Sequence, residues 1–259
     1  MFKKSIVAMP EIYIISFLLL ILVVLQSVAG VGVLVVGTPA LLMFHYSLPN
    51  TLSLLLPISI LTSLLNLFVF KFYKNNEKIS VDKKIKKYFF IICLPSIFIG
   101  LFFLKFFNEI VNFKIIVSLV ILLSLYIKLK FNFFLKNFSN LTKKYFLLIV
   151  GMIHGFTNSG GTLLSLFLSS LISKKDQTRY NITFFYFFLA LFQYILFLIL
   201  FNLTIDFEKF LVNLVICVIG VVIGNLLVKK FNEKYFQLLI QILAFFTSLI
   251  LLIDSFFTF

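Results

Sequence analysis

Residues 151–164, GMIHGFTNSGGTLL, gather polar and flexible residues inside an apolar stretch of the chain. The segment holds four glycines, one imidazole, one side-chain amide and three hydroxyls. Glycine favours a break in a helix, and the backbone N–H groups freed at such a break can donate hydrogen bonds to a ligand. Because these donors and the helix dipole both attract negative charge, the residue types in this segment predict binding of a small anion.

The candidate anion-binding residues of this segment lie around the expected break. Glycine would let a substrate approach the backbone, and the hydroxyl and amide groups would add donors. The histidine is the only ionisable side chain well inside an apolar stretch, and such a residue is a functional hypothesis by default. Asp and Glu are absent at this depth, which favours an anionic substrate over a cation held by carboxylates. The candidates are His154, Asn158, Ser159, Gly160, Gly161 and Thr162.

A second, looser cluster of the same kind lies in the first half of the chain. The segment GVGVLVVGTPALL (residues 30–42) aligns with NSGGTLLSLFLSS (residues 158–170), and each follows the first long apolar stretch of its half. A polar, helix-breaking element that occurs at equivalent positions in two repeats indicates a transporter site built from discontinuous helices. The proline of the first cluster suits either the first turn of a helix or a kink. The candidates here are Ser27, Gly30, Gly32, Gly37, Thr38 and Pro39.

The two halves of the chain are related in sequence elsewhere as well. Residues 93–109 (CLPSIFIGLFFLKFFNE) and 217–233 (CVIGVVIGNLLVKKFNE) share seven identities in seventeen positions, including the pattern K-x-F-N-E. Such internal similarity is typical of a duplicated structural unit. We therefore predict two transmembrane repeats, residues 1–135 and residues 136–259.

Composition predicts an all-α polytopic membrane protein. Of the 259 residues 62% are hydrophobic and 12% are charged, and the apolar residues form blocks long enough to span a bilayer. Two of these blocks are residues 115–127 and 180–205, and Lys128 and Arg179 lie directly outside them. We therefore expect these two residues, and the basic run of residues 71–90, in loops. The net charge of +14 comes from lysines between the blocks. Such basic loops are typical of membrane proteins, whose cytoplasmic loops contact anionic lipids. They do not indicate a nucleic-acid-binding protein.

Two apolar blocks are too long for one crossing and too short for two crossings with a loop. Residues 12–44 and 145–173 contain 33 and 29 positions, against about 20 for one helix. Each predicts one spanning helix followed by a short re-entrant or bent helix, with the break at the glycines. The result is eight long transmembrane helices plus two short ones. If both short segments complete crossings, 18 of the 23 basic residues lie on the cytoplasmic side, as the positive-inside rule favours. In that topology the two repeats are inverted relative to each other.

Other functions have weaker support in the sequence. Gly, Ser and Thr in membrane helices often mark close packing, so a non-transporting membrane scaffold or assembly partner is the alternative. An intramembrane serine protease would need His154 and Ser159 within hydrogen-bond reach, but a spacing of five places them about 140° apart on a helix. Cys93 and Cys217 have no metal-ligand spacing. We expect no enzyme activity, no cofactor and no metal.

The two glycine clusters resemble those of the TauE/SafE family of sulfite and sulfonate exporters. The resemblance implies secondary transport of a small sulfur-containing or organic anion, by alternating access between two repeats in a bacterial inner membrane. A coupling proton or sodium ion is compatible with it, and the oligomeric state stays open. The matching positions are Gly30, Gly32 and Pro39 in the first half and Gly155, Gly160, Gly161, Gly220 and Gly224 in the second.

Overall fold

The computed structural model describes residues 9–73, 83–136, 138–172, 175–204, 207–230 and 232–257. Over these residues the chain is helical and contains no β-strand, which confirms the all-α class for the described part. A π-helical turn at Phe89–Cys93 joins the fourth and fifth helices into one continuous rod. The helices are α1 (Met9–Ala29), α2 (Val33–Met43), α3 (Leu48–Tyr73), α4 (Lys83–Tyr88), α5 (Leu94–Phe107), α6 (Phe113–Lys136), α7 (Asn140–Thr157), α8 (Gly160–Leu171), α9 (Lys175–Phe201), α10 (Phe207–Lys230) and α11 (Glu233–Phe257).

Four helical segments of the described chain are long and apolar enough to cross a membrane. They are Leu48–Phe72, Lys83–Phe107, Asp176–Phe201 and Phe210–Lys230. The distribution of polarity fits a membrane environment, because large apolar side chains such as Phe106 and Ile199 are exposed while Gln26, Asn66 and Gln193 are buried. The protein is therefore an integral membrane protein, and the predicted total of eight long spans stays a prediction.

Two helical hairpins contain the glycine clusters. The short helix α2 folds back along α1, since a Cβ on Gly37 would lie 2.9 Å from Leu22 Cδ1. In the same way α8 folds back along α7, where the rings of Phe146 and Phe167 lie 5.3 Å apart. In both cases the chain reverses direction inside the protein.

The two reversals share one local geometry. Gly30 ends α1 at φ +78° and Asn158 ends α7 at φ +62°, the left-handed region that glycine and asparagine adopt most readily. The N–H of Gly30 donates to the carbonyl of Gln26, and the N–H of Asn158 donates to that of His154, both at 2.8 Å. Left-handed residues that cap a helix in this way are common at helix C-termini.

A close backbone approach follows each reversal. A Cβ on Gly32 would lie 2.8 Å from the backbone nitrogen of Gln26, and a Cβ on Gly160 would lie 2.7 Å from that of His154. These two glycines stand two residues after Gly30 and Asn158, respectively. They are therefore required for the start of each short helix to pack on the last turn of the long one.

The helices of the two halves pack against each other. Lys114, at the start of α6, bonds to Asp254 near the end of α11 at 2.6 Å, so these two helices run antiparallel. Phe70, near the end of α3, contacts Tyr180 near the start of α9, with ring centroids 5.6 Å apart. That contact orients α3 and α9 antiparallel as well.

Small residues let other helices of the two halves approach closely. A Cβ on Gly100 of α5 would lie 2.9 Å from the Cα of Gly155 in α7. A Cβ on Gly220 of α10 would lie 2.9 Å from the Cβ of Val23 in α1. Glycine at such contacts is typical of membrane helix packing. Helix α5 of the first half thus packs on α7 of the second, and α10 of the second packs on α1 of the first.

Three expectations about loops were wrong. Lys128 lies inside α6 and Arg179 lies inside α9, because these helices extend well past the apolar blocks of the sequence. The basic run of residues 71–90 contains the end of α3 and all of α4, while residues 74–82 lie outside the described chain. Apolar blocks underestimate helix length here because the apolar stem of a long basic side chain can continue a membrane helix.

Candidate functional site

A hydrogen bond joins the two predicted glycine clusters across the halves of the protein. Asn158, which follows α7, donates through Nδ2 to the Thr38 hydroxyl of α2 at 2.9 Å. Thr38 in turn donates to the carbonyl of Leu34 at 2.6 Å. Both Thr38 and Asn158 are completely buried. The tertiary fold therefore brings together two segments that lie 120 residues apart in the sequence.

A cavity of about 60 Å³ borders both short helices, through Val35 of α2 and Thr162 of α8. The reversal between α1 and α2 borders the cavity through Ala29 and Val31, and α9 borders it through Ile182. Helices α6, α8 and α11 supply its polar lining. Thr162 is the predicted site residue that reaches it. The polar lining residues are Ser124, Lys128, Thr162, Ser165, Ser169 and Gln241.

Hydroxyl groups of α6 and α8 face each other at the cavity. The Thr162 hydroxyl donates to the carbonyl of Ser159 at 2.6 Å and lies 3.2 Å from the Ser124 Oγ. Ser165 donates to the carbonyl of Thr162 at 2.9 Å, and Ser169 makes the same kind of bond one turn later. Each hydroxyl keeps acceptor lone pairs and can rotate to donate to a ligand instead.

A second group of buried polar atoms surrounds the α7–α8 reversal. Within the described chain, no hydrogen-bond partner is found for either ring nitrogen of His154, for Asn158 Oδ1, for the Tyr186 hydroxyl or for Gln193 Oε1. Gln193 donates through Nε2 to the carbonyl of His154 at 3.1 Å, and the Tyr186 hydroxyl lies against Gly161. Buried polar atoms usually have partners, so this group marks a place for water or a small ligand.

A buried arginine occupies the region around the end of α1. Arg179 donates to the carbonyl of Ser27 and, at 2.8 Å, to Asn225 Oδ1, and its guanidinium lies 4.8 Å from the ring centroid of Phe70. Asn225 donates to Asn66 Oδ1 at 2.9 Å, and Asn66 donates to the Ser27 hydroxyl at 3.1 Å. Ser27 thus serves a polar network that connects α1, α3, α9 and α10.

The remaining predicted residues lie in the turns and in the short helices. Pro39 is buried inside α2 and not in its first turn. The Ser159 hydroxyl donates to the carbonyl of Thr157 at 3.2 Å. The first backbone N–H of α2, on Val33, donates to Gln26 Oε1 at 3.3 Å, so a side chain already occupies that donor. The structure therefore distributes the predicted residues over the cavity, the inter-half contact, the arginine network and the two helix reversals.

The sequence interpretation missed several polar residues of these regions. Arg179 is the only arginine of the chain, and Gln193 is polar within an apolar block; both are signals that a sequence can offer. Ser124 and Lys128 are four residues apart, the spacing that places two side chains on one helix face. Tyr186 gave no such signal, because tyrosine is common in this chain and its burial depends on packing.

The comparisons with known proteins address the whole chain. The sequence pattern of the family described as "Sulfite exporter TauE/SafE" matches residues 15–251, nearly the full length. No curated protein and no solved structure matches the chain significantly. The match covers both helical hairpins, the cavity and the inter-half contact, and it confirms the predicted resemblance. This chain belongs to the sulfite exporter TauE/SafE family, whose members are membrane transporters and not enzymes.

Proposed function

We propose that the protein is a secondary transporter that exports a small anion, which is sulfite, an organosulfonate or another sulfur-containing or organic anion. The anion binds between the two glycine-broken helical hairpins. The observation that carries this proposal is that the short-helix elements of the two halves meet at the Asn158–Thr38 bond and that both short helices line one polar cavity. Sites built at such paired helix breaks are a common feature of secondary transporters.

The residues of this site follow from the two clusters. Thr162 would contact the anion directly from the cavity wall, while the glycines shape the reversals that position both short helices. His154 would donate to the anion or take up a proton together with it. The coupling ion would be a proton or a sodium ion. The proposed set is Ser27, Gly30, Gly32, Thr38, Pro39, His154, Asn158, Ser159, Gly160, Gly161 and Thr162.

The proposed architecture has eight long crossings and two short returning helices, in two inverted repeats (residues 1–135 and 136–259). The ion pair of Lys114 with Asp254 and the contact of Phe70 with Tyr180 support inversion, because each makes corresponding helices of the two repeats antiparallel. Inverted repeats allow alternating access by movement of one repeat against the other. The protein would act in a bacterial inner membrane.

A flux experiment tests the proposal. The purified chain is reconstituted in proteoliposomes, and uptake or release of sulfite, thiosulfate, sulfoacetate and acetate is followed against empty vesicles. Transport of at least one of these anions above the empty-vesicle rate is the expected result. A protein that inserts correctly but moves none of them would overturn the proposal.

The scaffold alternative also has an observation in its favour. The close approaches at Gly32 and Gly160 are contacts between backbone segments, which is what packing alone would require. A scaffold should gain no thermal stability from the anions, whereas a protein that binds one is stabilised according to its concentration and affinity. Thermal unfolding of the purified protein with each anion therefore separates the two functions.

A further inference from the structure

We infer that Lys128 supplies the positive charge of the anion site. This inference rests on the proposed transport function and names the residue that carries the charge of its site. Lys128 was expected in a loop but lines the cavity from α6, four residues after Ser124. Neither residue belongs to the glycine clusters.

The electrostatics of the cavity favour a negative partner for this lysine. Within the described chain Lys128 makes no ion pair and no hydrogen bond, and no Asp or Glu is among the residues that line the cavity. A partly buried ammonium group without a counter-charge is unfavourable unless water or an anion approaches it. A bound anion would provide that charge and accept a charge-assisted hydrogen bond, which is stronger than a neutral one.

Three hydroxyls of α8 complete the donor set. Thr162, Ser165 and Ser169 lie at a spacing of three and four residues, so they share the helix face that lines the cavity. At present their protons point to carbonyls of the helix itself. Rotation about the Cβ–O bond would turn them to an anion held by Lys128, and serine and threonine hydroxyls do this readily.

The cavity has room for a small anion. A volume of about 60 Å³ is room for about four to six water molecules by the criterion of 10–15 Å³ for each. The head of an oxyanion, with one central atom and three oxygens, fits such a space. The carbon chain of an organosulfonate can extend out of it.

Variants of two neighbouring lysines test the charge. Lys128→Met removes the charge, Lys128→Arg keeps it, and Lys130→Met is the matched control, since Lys130 is exposed on another face of the same helix. Each full-length protein is assayed for sulfite-dependent thermal stabilisation in detergent and for sulfite flux in proteoliposomes. Lys128→Met should weaken sulfite binding by at least about tenfold, the loss expected for one charge-assisted hydrogen bond. Lys128→Arg should bind within a few-fold of wild type, and Lys130→Met should match wild type.

The outcomes separate the inference from the transport function. Wild-type flux together with unchanged sulfite binding by Lys128→Met would overturn the role of Lys128 and leave transport standing. Sulfite binding that depends on Lys128 without any flux would support the site and overturn transport. No stabilisation and no flux in wild type would overturn both. If Lys128→Met fails to insert, Ser165→Val replaces it: weaker sulfite binding supports the cavity site, and unchanged binding overturns it.

Discussion

The ring of His154 lies at the α7–α8 reversal and has no hydrogen-bond partner within the described chain. The side chain is completely buried. Other buried polar atoms without a partner around this reversal belong to Asn158 and to Tyr186 and Gln193 of α9. A positive imidazolium in this position needs a counter-charge, and a bound anion provides one. Proton uptake and anion binding would then support each other.

Replacement of His154 by glutamine should therefore remove a pH dependence of transport. Since protonation of His154 adds a positive charge that favours a bound anion, wild-type flux should rise as the pH falls. His154→Gln should show a flat profile, measured as tracer flux in proteoliposomes over a series of pH values. Identical pH profiles for the two proteins would make His154 a structural residue.

Gly161 and Tyr186 form a pair whose contact a methyl group would disturb. A Cβ on Gly161 would meet the Tyr186 side chain and not the backbone, so the helices can keep their positions. Gly161→Ala should therefore insert normally and lose most of its flux, because the ring must move inside the site. The double variant Gly161→Ala/Tyr186→Leu removes both the clashing hydroxyl and the clashing ring carbon and should regain flux relative to Gly161→Ala. Equal flux in the single and the double variant would contradict this pairing.

At the scale of helical elements, the two hairpins depend on the same feature. Gly32 and Gly160 each allow the short helix to contact the backbone of the long helix at the residue six positions earlier. A backbone atom cannot move aside as a side chain can. The first hairpin in addition uses the side chain of Gln26 to bond to the amide of Val33 and to Ser63, at 3.3 and 3.0 Å.

Alanine at either glycine should destabilise the protein and reduce transport in parallel. For Gly32→Ala and Gly160→Ala we expect a loss of about 1–3 kcal/mol, the usual cost of overpacking, with valine worse than alanine. Membrane-inserted amount, thermal unfolding and flux are measured for each variant. Normal insertion and stability with abolished flux would instead indicate that these glycines contact the substrate themselves.

At the scale of the whole molecule, the two halves are interleaved and not placed side by side. Helix α5 packs on α7 and α10 packs on α1, so neither half has a separate core. Arg179 strengthens this arrangement, since its guanidinium bonds to Ser27 of α1 and to Asn225 of α10. A planar guanidinium can serve several acceptors at fixed angles, which an ammonium group cannot reproduce.

Arg179→Lys should consequently lower the stability of the folded protein although it keeps the charge. Loss of one hydrogen bond from a charged donor costs about 1.5–3 kcal/mol. The unfolding temperature in detergent is the measurement, and Lys230→Arg, at an exposed position of α10, is the control for lysine and arginine exchange. An unchanged unfolding temperature for Arg179→Lys would show that the network does not join the halves.

Inverted repeats place corresponding turns on opposite sides of the membrane. Asn108 and Asn232 occupy equivalent positions of the K-x-F-N-E pattern. In a background with Cys93→Ala and Cys217→Ala, a cysteine at Asn108 and one at Asn232 should react with an impermeant maleimide from opposite sides. Each is labelled in intact vesicles and again after permeabilisation. Labelling of both from the same side would exclude inversion.

The sequence by itself determined the class of this protein and the places where its helices break. Apolar blocks, clustered glycines and internal similarity depend on local composition and spacing, so residues such as Gly30, Asn158 and Gly160 were identified without a structure. The TauE/SafE resemblance followed from glycines of the same clusters, among them Gly30 and Gly160.

Only the tertiary structure decided which polar residues meet. The bond of Asn158 to Thr38, the position of Lys128 at the cavity and the contacts of Arg179 all join segments far apart in the chain. Lys128 and Arg179 looked like loop residues because charge normally ends a membrane-spanning segment, and packing between helices overrode that rule. Which face of a helix is buried depends on its neighbours, and no local pattern contains that information.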